Sequence, residues 1–234
     1  MTRVKNSRPP PRSRFGRRLL LAGGLFLILI VLAGTGLWWS TRSPPQFYAE
    51  ARQRDTARQA AEGDEFERRV LDTRNATRHA GDWTLVVTEE QLNAWLVHQL
   101  PREFPAALPD EFSDPRVSLT PDHLRIGVRY RSGAIDTILS LDVQLYLTEE
   151  SRTVAAQLRS VRAGKLPLPP SRVLPALSAA ARQLDLPLRW SQDGGDPVAL
   201  WTFPERPAEL RGRRLHLDRL ELTAGQLVLR GRCE

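Results

Sequence analysis

Residues 137–147 read TILSLDVQLYL, the longest run of alternating apolar side chains in the chain. Every second residue falls on one face of this run: Thr137, Leu139, Leu141, Val143, Leu145 and Leu147. Successive side chains of a β-strand point to opposite faces of the sheet, so the pattern predicts a half-buried strand. A strand of this length extends about 36 Å. The run therefore predicts a broad sheet with one apolar face.

The segments on either side of this run predict its neighbouring strands. Residues 124–131 alternate in the same way, and their second face carries three cations, Arg125, Arg129 and Arg131. After the run, a turn at 149–152 leads into the alternating segment 154–160. Short turns join antiparallel strands, whereas parallel strands need long crossovers. We therefore expect an antiparallel meander with one apolar face and one arginine-bearing face.

Two helices and further strands are expected around the meander. Thr88 and Gln91 have the spacing of a capping box, which begins the first helix. Three prolines make residues 164–170 an extended crossover, after which Ser171 caps a second helix. The remaining strands are predicted near 84–87, 198–203, 215–222 and 227–229. In the third of these the alternation slips by one residue, which predicts a β-bulge near Asp218–Arg219.

An uncharged apolar segment lies near the N-terminus. Residues 19–39 carry no charged side chain and as a helix would span about 31 Å, close to the thickness of a bilayer core. Residues 1–18 hold seven basic residues and no acid. The positive-inside rule then predicts a basic cytoplasmic tail (1–18), a helix (19–39) spanning the cytoplasmic membrane, and an extracytoplasmic remainder. The alternative is a cleaved signal peptide, with residues 34–36 as the nearest cleavage site.

The predicted fold class is α+β. After the transmembrane helix, residues 40–80 are rich in acids and arginines and follow a proline pair, which favours a charged helical stalk. A coiled-coil dimerisation stem is the alternative for this segment. Residues 81–234 then form an extracytoplasmic α+β domain, in which a long curved antiparallel sheet packs on two helices.

Composition removes several classes of protein. Residues 19–234 hold 27 basic against 27 acidic residues, so the domain lacks the basic excess that nucleic-acid binding requires. Cys233 is the only cysteine and the four histidines are scattered, which predicts neither an intrachain disulfide nor a metal site. The sequence motifs of common hydrolases, nucleotide-binding proteins and metalloproteases are absent. We expect no enzymatic activity, no catalytic residue and no cofactor.

Two motifs carry a family resemblance, TLVVTEEQLNAWL at 84–96 and VRAGKLPLPPSRVLPAL at 161–177. With the long strand between them, they make residues 84–232 resemble the YpmS-like family of bacterial single-pass membrane proteins. The positions most typical of that family are Thr88, Gln91, Leu92, Asn93, Gly164, Leu166, Pro167, Leu168 and Pro169. The resemblance implies one membrane helix and an extracytoplasmic domain. At the level of fold it is similar to the tubular lipid-binding domains.

The apolar face supports two interpretations. As a groove it would bind a lipid or another apolar ligand. Its lining would be Leu139, Leu141, Val143, Leu145, Leu147, Val173, Leu177 and Leu184. The same side chains would also suit a filled core, as in any half-buried sheet. The alternative function is a scaffold or assembly protein of the cell envelope, whose arginine-bearing face meets a partner protein. The expected partners are thus the membrane with either a lipid or an envelope protein, and no nucleic acid.

Overall fold

Five α-helices and two antiparallel sheets make up the described part of the chain. The computed structural model describes residues 44–53, 56–105, 108–150, 152–183, 186–203 and 214–234. The helices are α1 (Gln46–Gln53), α2 (Thr56–Ala76), α3 (Glu89–His98), α4 (Leu100–Glu103) and α5 (Leu174–Gln183). The strands are β1 (Gly81–Thr88), β2 (Phe112–Leu119), β3 (Leu124–Ser132), β4 (Ile135–Leu147), β5 (Thr153–Ala163), β6 (Leu166–Leu168), β7 (Leu188–Asp193), β8 (Asp196–Thr202), β9 (Leu215–Thr223) and β10 (Gln226–Cys233).

The predicted long strand is β4, the longest strand of a seven-stranded sheet. As expected, β3, β4 and β5 follow one another as an antiparallel meander, and β2 pairs with β3 ahead of them. β3 pairs with β4 without interruption, from Leu124 opposite Val143 to Ser132 opposite Ile135. The far edge of β5 is shared, because β8 pairs with its first half and β6 with its end. β7 then pairs with β8 and completes the sheet.

The second sheet has three strands in the order β1, β10, β9. The predicted bulge is confirmed: Arg219 lies opposite Arg230 and Leu217 opposite Gly231, so Asp218 has no opposite residue. The extra residue keeps the leucines before and after it on one face of the strand. Gly231 is required at this point, because a side-chain carbon there would clash with the backbone oxygen of His216 and the ring of Trp83.

The charged segment before the domain forms two helices. Tyr48 and Ala51 of α1 are buried, and α1 packs on β2. A side-chain carbon at Gly127 of β3 would lie only 2.6 Å from Cδ2 of Tyr48, so the glycine allows α1 to approach the sheet. α2 packs along α3, where the ring centroids of Phe66 and Trp95 are 5.7 Å apart. Instead of a single stalk helix, the described part of 40–80 forms two helices and contacts the domain from Tyr48 onward.

Three local predictions differ from the structure. Residues 188–202 form a hairpin, β7 and β8, because Gly194 and Gly195 adopt the positive φ angles of a tight turn. The alternation of β7 is weak and most of the strand is exposed, so the sequence predicts only its partner strand, β8. Ser171 does not cap a helix: it lies in the 3₁₀ turn Pro170–Arg172, and α5 begins at Leu174. The crossover contains β6, at an edge position that tolerates Pro167.

The mixed α+β class, with a large antiparallel sheet packed against helices, is confirmed. The predicted basic tail (1–18) and transmembrane helix (19–39) lie outside the described residues. None of the helices within the described ranges has both the length and the apolar composition of a membrane span.

Candidate functional site

The apolar face of the seven-stranded sheet holds most of the residues predicted to line a ligand site. Val143, Leu158 and Val161 form its buried centre. Partly buried side chains from three strands, β6 and the α5 region surround this centre: Ile126, Leu141, Leu145, Ala156, Leu168, Val173, Leu174 and Leu177. We call these eleven residues the apolar cluster. It contains five of the predicted lining residues, Leu141, Val143, Leu145, Val173 and Leu177.

The other predicted lining residues are placed differently. Leu139 and Leu147 lie on the same face of β4 as Val143 and are partly buried. Leu184 lies outside the described residues. The structure thus packs strand and helix residues together at the centre of β4 and the first turns of α5.

α5 covers the apolar cluster only in part. Of its ten residues, Ala181 alone is buried, and Leu174 and Leu177 keep part of their surface exposed. A polar contact links α5 to β7, where the indole Nε1 of Trp190 donates to the hydroxyl of Ser178 at 2.9 Å. Among the described residues, α5 therefore leaves part of the surface of Leu174 and Leu177 exposed.

The family-like residues of α3 join the helix to the sheet. Thr88 and Gln91 form the predicted capping box, with distances of 3.2 and 3.1 Å between its two donor–acceptor pairs. The amide of Asn93 accepts from Val117 N at 2.8 Å and donates to Val117 O at 2.9 Å. Glu89 Oε2 accepts from Leu119 N at 2.7 Å. Side chains of α3 thus satisfy backbone groups on the outer edge of β2, while Leu92 is partly buried on the same helix.

The second family-like motif shapes the turn below α5. Gly164 has a φ of +58° and donates its N–H to Ile138 O at 2.8 Å. Leu166, Pro167 and Leu168 form β6 against the end of β5, and Leu168 joins the apolar cluster. Pro169 is extended and leads into the 3₁₀ turn. Both motifs are therefore explained by folding, and neither brings reactive groups together.

On the arginine-bearing face, acids of β4 lie beside the three arginines of β3. Arg129 donates from Nε and Nη2 to the two carboxylate oxygens of Asp136, at 2.8 and 2.6 Å. These hydrogen bonds raise the pKa of Arg129 above its ordinary value. Arg131 Nε lies 3.8 Å from the same carboxylate. Arg125 is held more loosely, with Nε 3.9 Å from Asp142 Oδ2.

A buried polar network fastens α1 to β2. The hydroxyl of Tyr48 lies 2.9 Å from the carbonyl oxygen of Asp114 and 3.0 Å from its Oδ2. Arg116, also buried, donates to Asp114 Oδ1 at 2.9 Å and to Ala51 O at 3.3 Å. Asp114 has a φ of +51°, in the left-handed region that few residues other than glycine adopt. The network fixes the position of α1 over β3 and β4.

Two cavities flank α1 on this polar face. One has a volume of about 600 Å³ and is lined by Tyr48, Arg52, Arg129, Asp136 and neighbouring residues. The other has a volume of about 530 Å³ and lies at the start of α1. Its lining contains Pro44, Pro45, Gln46, Phe47, Arg125, Ser140, Leu141, Asp142, Ser160, Arg162, Gly164 and Lys165. We call this second space the basic cavity.

Sequence reasoning missed the α1 network and both cavities. The one available signal is Gly127, an isolated glycine on the arginine-bearing face in the middle of a strand, which indicates a close approach by another segment. No group of three metal-ligating side chains occurs in the part of the chain that the structure describes. No family model, curated protein or solved structure matches this chain, so the YpmS-like resemblance stays a prediction.

Proposed function

We propose that this chain is a membrane-anchored, extracytoplasmic, non-enzymatic protein that binds a lipid or another apolar ligand between β4 and α5. The observation that carries this proposal is the incomplete cover of the apolar cluster, in which Leu145, Leu174 and Leu177 all keep exposed surface. Aliphatic groups that stay in contact with water are unfavourable, by about 25 cal/mol for each Å². An acyl chain beside α5 would remove that surface from water.

The scaffold function is the alternative, and the contacts of the arginines with acids of the same sheet argue against it. Arg129 and Arg131 face Asp136, and Arg125 lies near Asp142, within the same sheet. A partner protein would have to compete with these intramolecular pairs. Among the described residues, by contrast, Leu145, Leu174 and Leu177 of the apolar cluster stay partly exposed.

Native mass spectrometry of the full chain, purified in a mild detergent from a bacterial membrane, tests the lipid proposal. We expect a reproducible bound lipid, and transfer of a fluorescent phospholipid from donor to acceptor vesicles. Leu177→Trp places a larger side chain against the apolar cluster and should reduce the bound fraction at least about tenfold, because it competes for the same volume.

Ala176→Trp is the matched control. Ala176 is the preceding residue on α5 and is exposed, so the same new indole would not enter the cluster. The control should bind lipid as the wild type does, and circular dichroism of both variants should match the wild type. A wild-type protein that is recovered bare and takes no lipid from vesicles would contradict the proposal and favour the scaffold function. Equal lipid binding by the two tryptophan variants would contradict the location of the site between β4 and α5.

A further inference from the structure

The basic cavity brings together more positive charge than its surroundings neutralise. Three cationic side chains line it, Arg125, Arg162 and Lys165, against one carboxylate, Asp142. That carboxylate is shared, because His123 Nδ1 lies 3.2 Å from Oδ1 while Arg125 approaches Oδ2. Within the described residues, neither Arg162 nor Lys165 forms an ion pair. Two positive charges at this site are therefore uncompensated.

The floor of the basic cavity is set by the register of three strands. Asp142 lies opposite both Arg125 of β3 and Ser160 of β5, which places the three side chains in one row across the sheet. In the next row Ser140 lies opposite Arg162. Two cations and two hydroxyl groups thus project from adjacent rows of the same face. Rows of this kind hold their side chains on rigid strands instead of a loop.

The walls of the basic cavity add further donors. On one side the turn after β5 contributes Lys165, next to Gly164 with its left-handed backbone. On the other side α1 begins, and Gln46 lies at its first position. The positive end of the helix dipole adds to the positive electrostatic potential that the three cations already create. Among the described lining residues, the charge that stays uncompensated is positive.

The geometry points to a binding site for a phosphate group in the basic cavity, with Arg125, Arg162 and Lys165 as the cations that hold it. A guanidinium group can donate two parallel hydrogen bonds to two oxygens of one phosphate, and lysine adds a point charge. The hydroxyls of Ser140 and Ser160 supply neutral donors of the kind found in such sites. The volume of about 530 Å³ leaves room for a substituent on the phosphate, so a phosphomonoester or phosphodiester fits as well as the free ion.

The test is calorimetric titration of the full chain, in a detergent without charge, with inorganic phosphate and with sn-glycerol 3-phosphate as probes. We expect both to bind and the affinity to fall as sodium chloride is added, because screening weakens charge-assisted contacts. The double variant Arg162→Gln/Lys165→Gln should lose at least about tenfold in affinity for each probe. Asp142→Asn should bind both probes more tightly, since it removes the only carboxylate of the lining.

The matched control is Arg182→Gln/Arg230→Gln. It removes the same two positive charges from exposed positions on α5 and β10, outside the lining of the cavity. Unchanged affinity in this control would support the site, whereas an equal loss in both double variants would overturn it, as would failure of the wild type to bind either probe. A second pair of probes, phosphatidylglycerol and phosphatidylcholine vesicles, separates a lipid headgroup from a soluble phosphate. If the wild type prefers the anionic vesicle and Arg162→Gln/Lys165→Gln loses that preference, the ligand is the phosphate of a lipid headgroup. If only the soluble probes bind, the ligand is a free phosphate.

This inference does not rest on the lipid proposal, because Arg125 and Arg162 project from the face of the sheet opposite to the apolar cluster, and Leu141 is the one residue common to the two linings. Leu177→Trp, which blocks the apolar cluster, should leave phosphate binding unchanged. Failure of one site is therefore distinguishable from failure of the other.

Discussion

Tyr48 is the side chain that ties α1 to the rest of the protein. It is 1% exposed, and its ring lies over Gly127 while its hydroxyl reaches Asp114. Burial raises the pKa of Tyr48 well above its ordinary value of 10.0, and the negative charge of the Asp114 carboxylate raises it further. The hydroxyl therefore stays protonated in the folded protein and continues to donate at alkaline pH.

The substitution Tyr48→Phe tests this network at a single atom. It should lower the free energy of unfolding by about 1 to 3 kcal/mol, because Asp114 loses a buried donor while the ring and its contacts remain. Urea unfolding of the full chain in detergent, followed by circular dichroism, measures the change. Tyr130→Phe is the control, since the Tyr130 ring is only partly buried, beside Phe112. Equal effects of the two substitutions would contradict the role given to the Tyr48 hydroxyl.

The raised pKa of Tyr48 also fixes the sign of a pH effect. Below about pH 10 the folded and unfolded states both hold the phenolic proton, so the contribution of the group is complete. Above that pH the unfolded state releases the proton and the folded state retains it, so the free energy of unfolding falls as pH rises. The same measurement near pH 9 and near pH 11 should therefore show a smaller decrease for Tyr48→Phe than for the wild type.

At the scale of elements, the alternation of apolar side chains and the residues typical of turns predict most of the sheet. They predict little of the candidate sites. Alternation located β3, β4 and β5, and the slip between Leu217 and Leu220 located the bulge, because each pattern depends on a few neighbouring residues. The hydrogen bonds that the Tyr48 hydroxyl donates to Asp114 join residues 66 positions apart, and no local pattern encodes them. The basic cavity depends on the register of three strands, which pattern alone does not specify.

The link between α3 and β2 yields a prediction for an element. Asn93→Ala should destabilise the protein by about 2 to 3 kcal/mol, because both backbone groups of Val117 lose their partner on the outer edge of β2. Hydrogen exchange at the amide of Val117 should become faster, while exchange in β10 changes less. Asn75→Ala, at an exposed position near the end of α2, should change stability by less than about 0.5 kcal/mol. Equal effects of both substitutions would show that the hydrogen bonds of Asn93 do not stabilise the outer edge of β2.

At the scale of the whole molecule, the two proposals assign opposite faces of one sheet to different chemistry. The apolar face lies under α5 and would hold an acyl chain, and the polar face lies under α1 and would hold a phosphate. Both sites use strand residues that the meander holds in place, and both are covered by a short helix near a proline-containing segment. The predicted membrane helix, with the orientation that the positive-inside rule gives it, would decide which lipids the chain meets. That orientation rests on the unequal charge at the two ends of residues 19–39.

A reporter fusion tests that orientation. Alkaline phosphatase joined after Glu234 folds only outside the cytoplasm, so the positive-inside rule predicts an active enzyme in the membrane fraction. Leu29→Arg places a charge at the centre of residues 19–39, where insertion becomes less favourable by about 2.5 to 3.5 kcal/mol, and should reduce the reporter activity strongly. Leu29→Ala shortens the same side chain without a charge and should leave the activity near that of the parent. An immunoblot separates an anchor from a cleaved signal peptide, because only the anchor keeps the full 26.4 kDa of this chain on the fusion. A phosphatase that is inactive in the parent fusion, together with an active cytoplasmic reporter at the same position, would reverse the orientation and place both candidate sites on the cytoplasmic side.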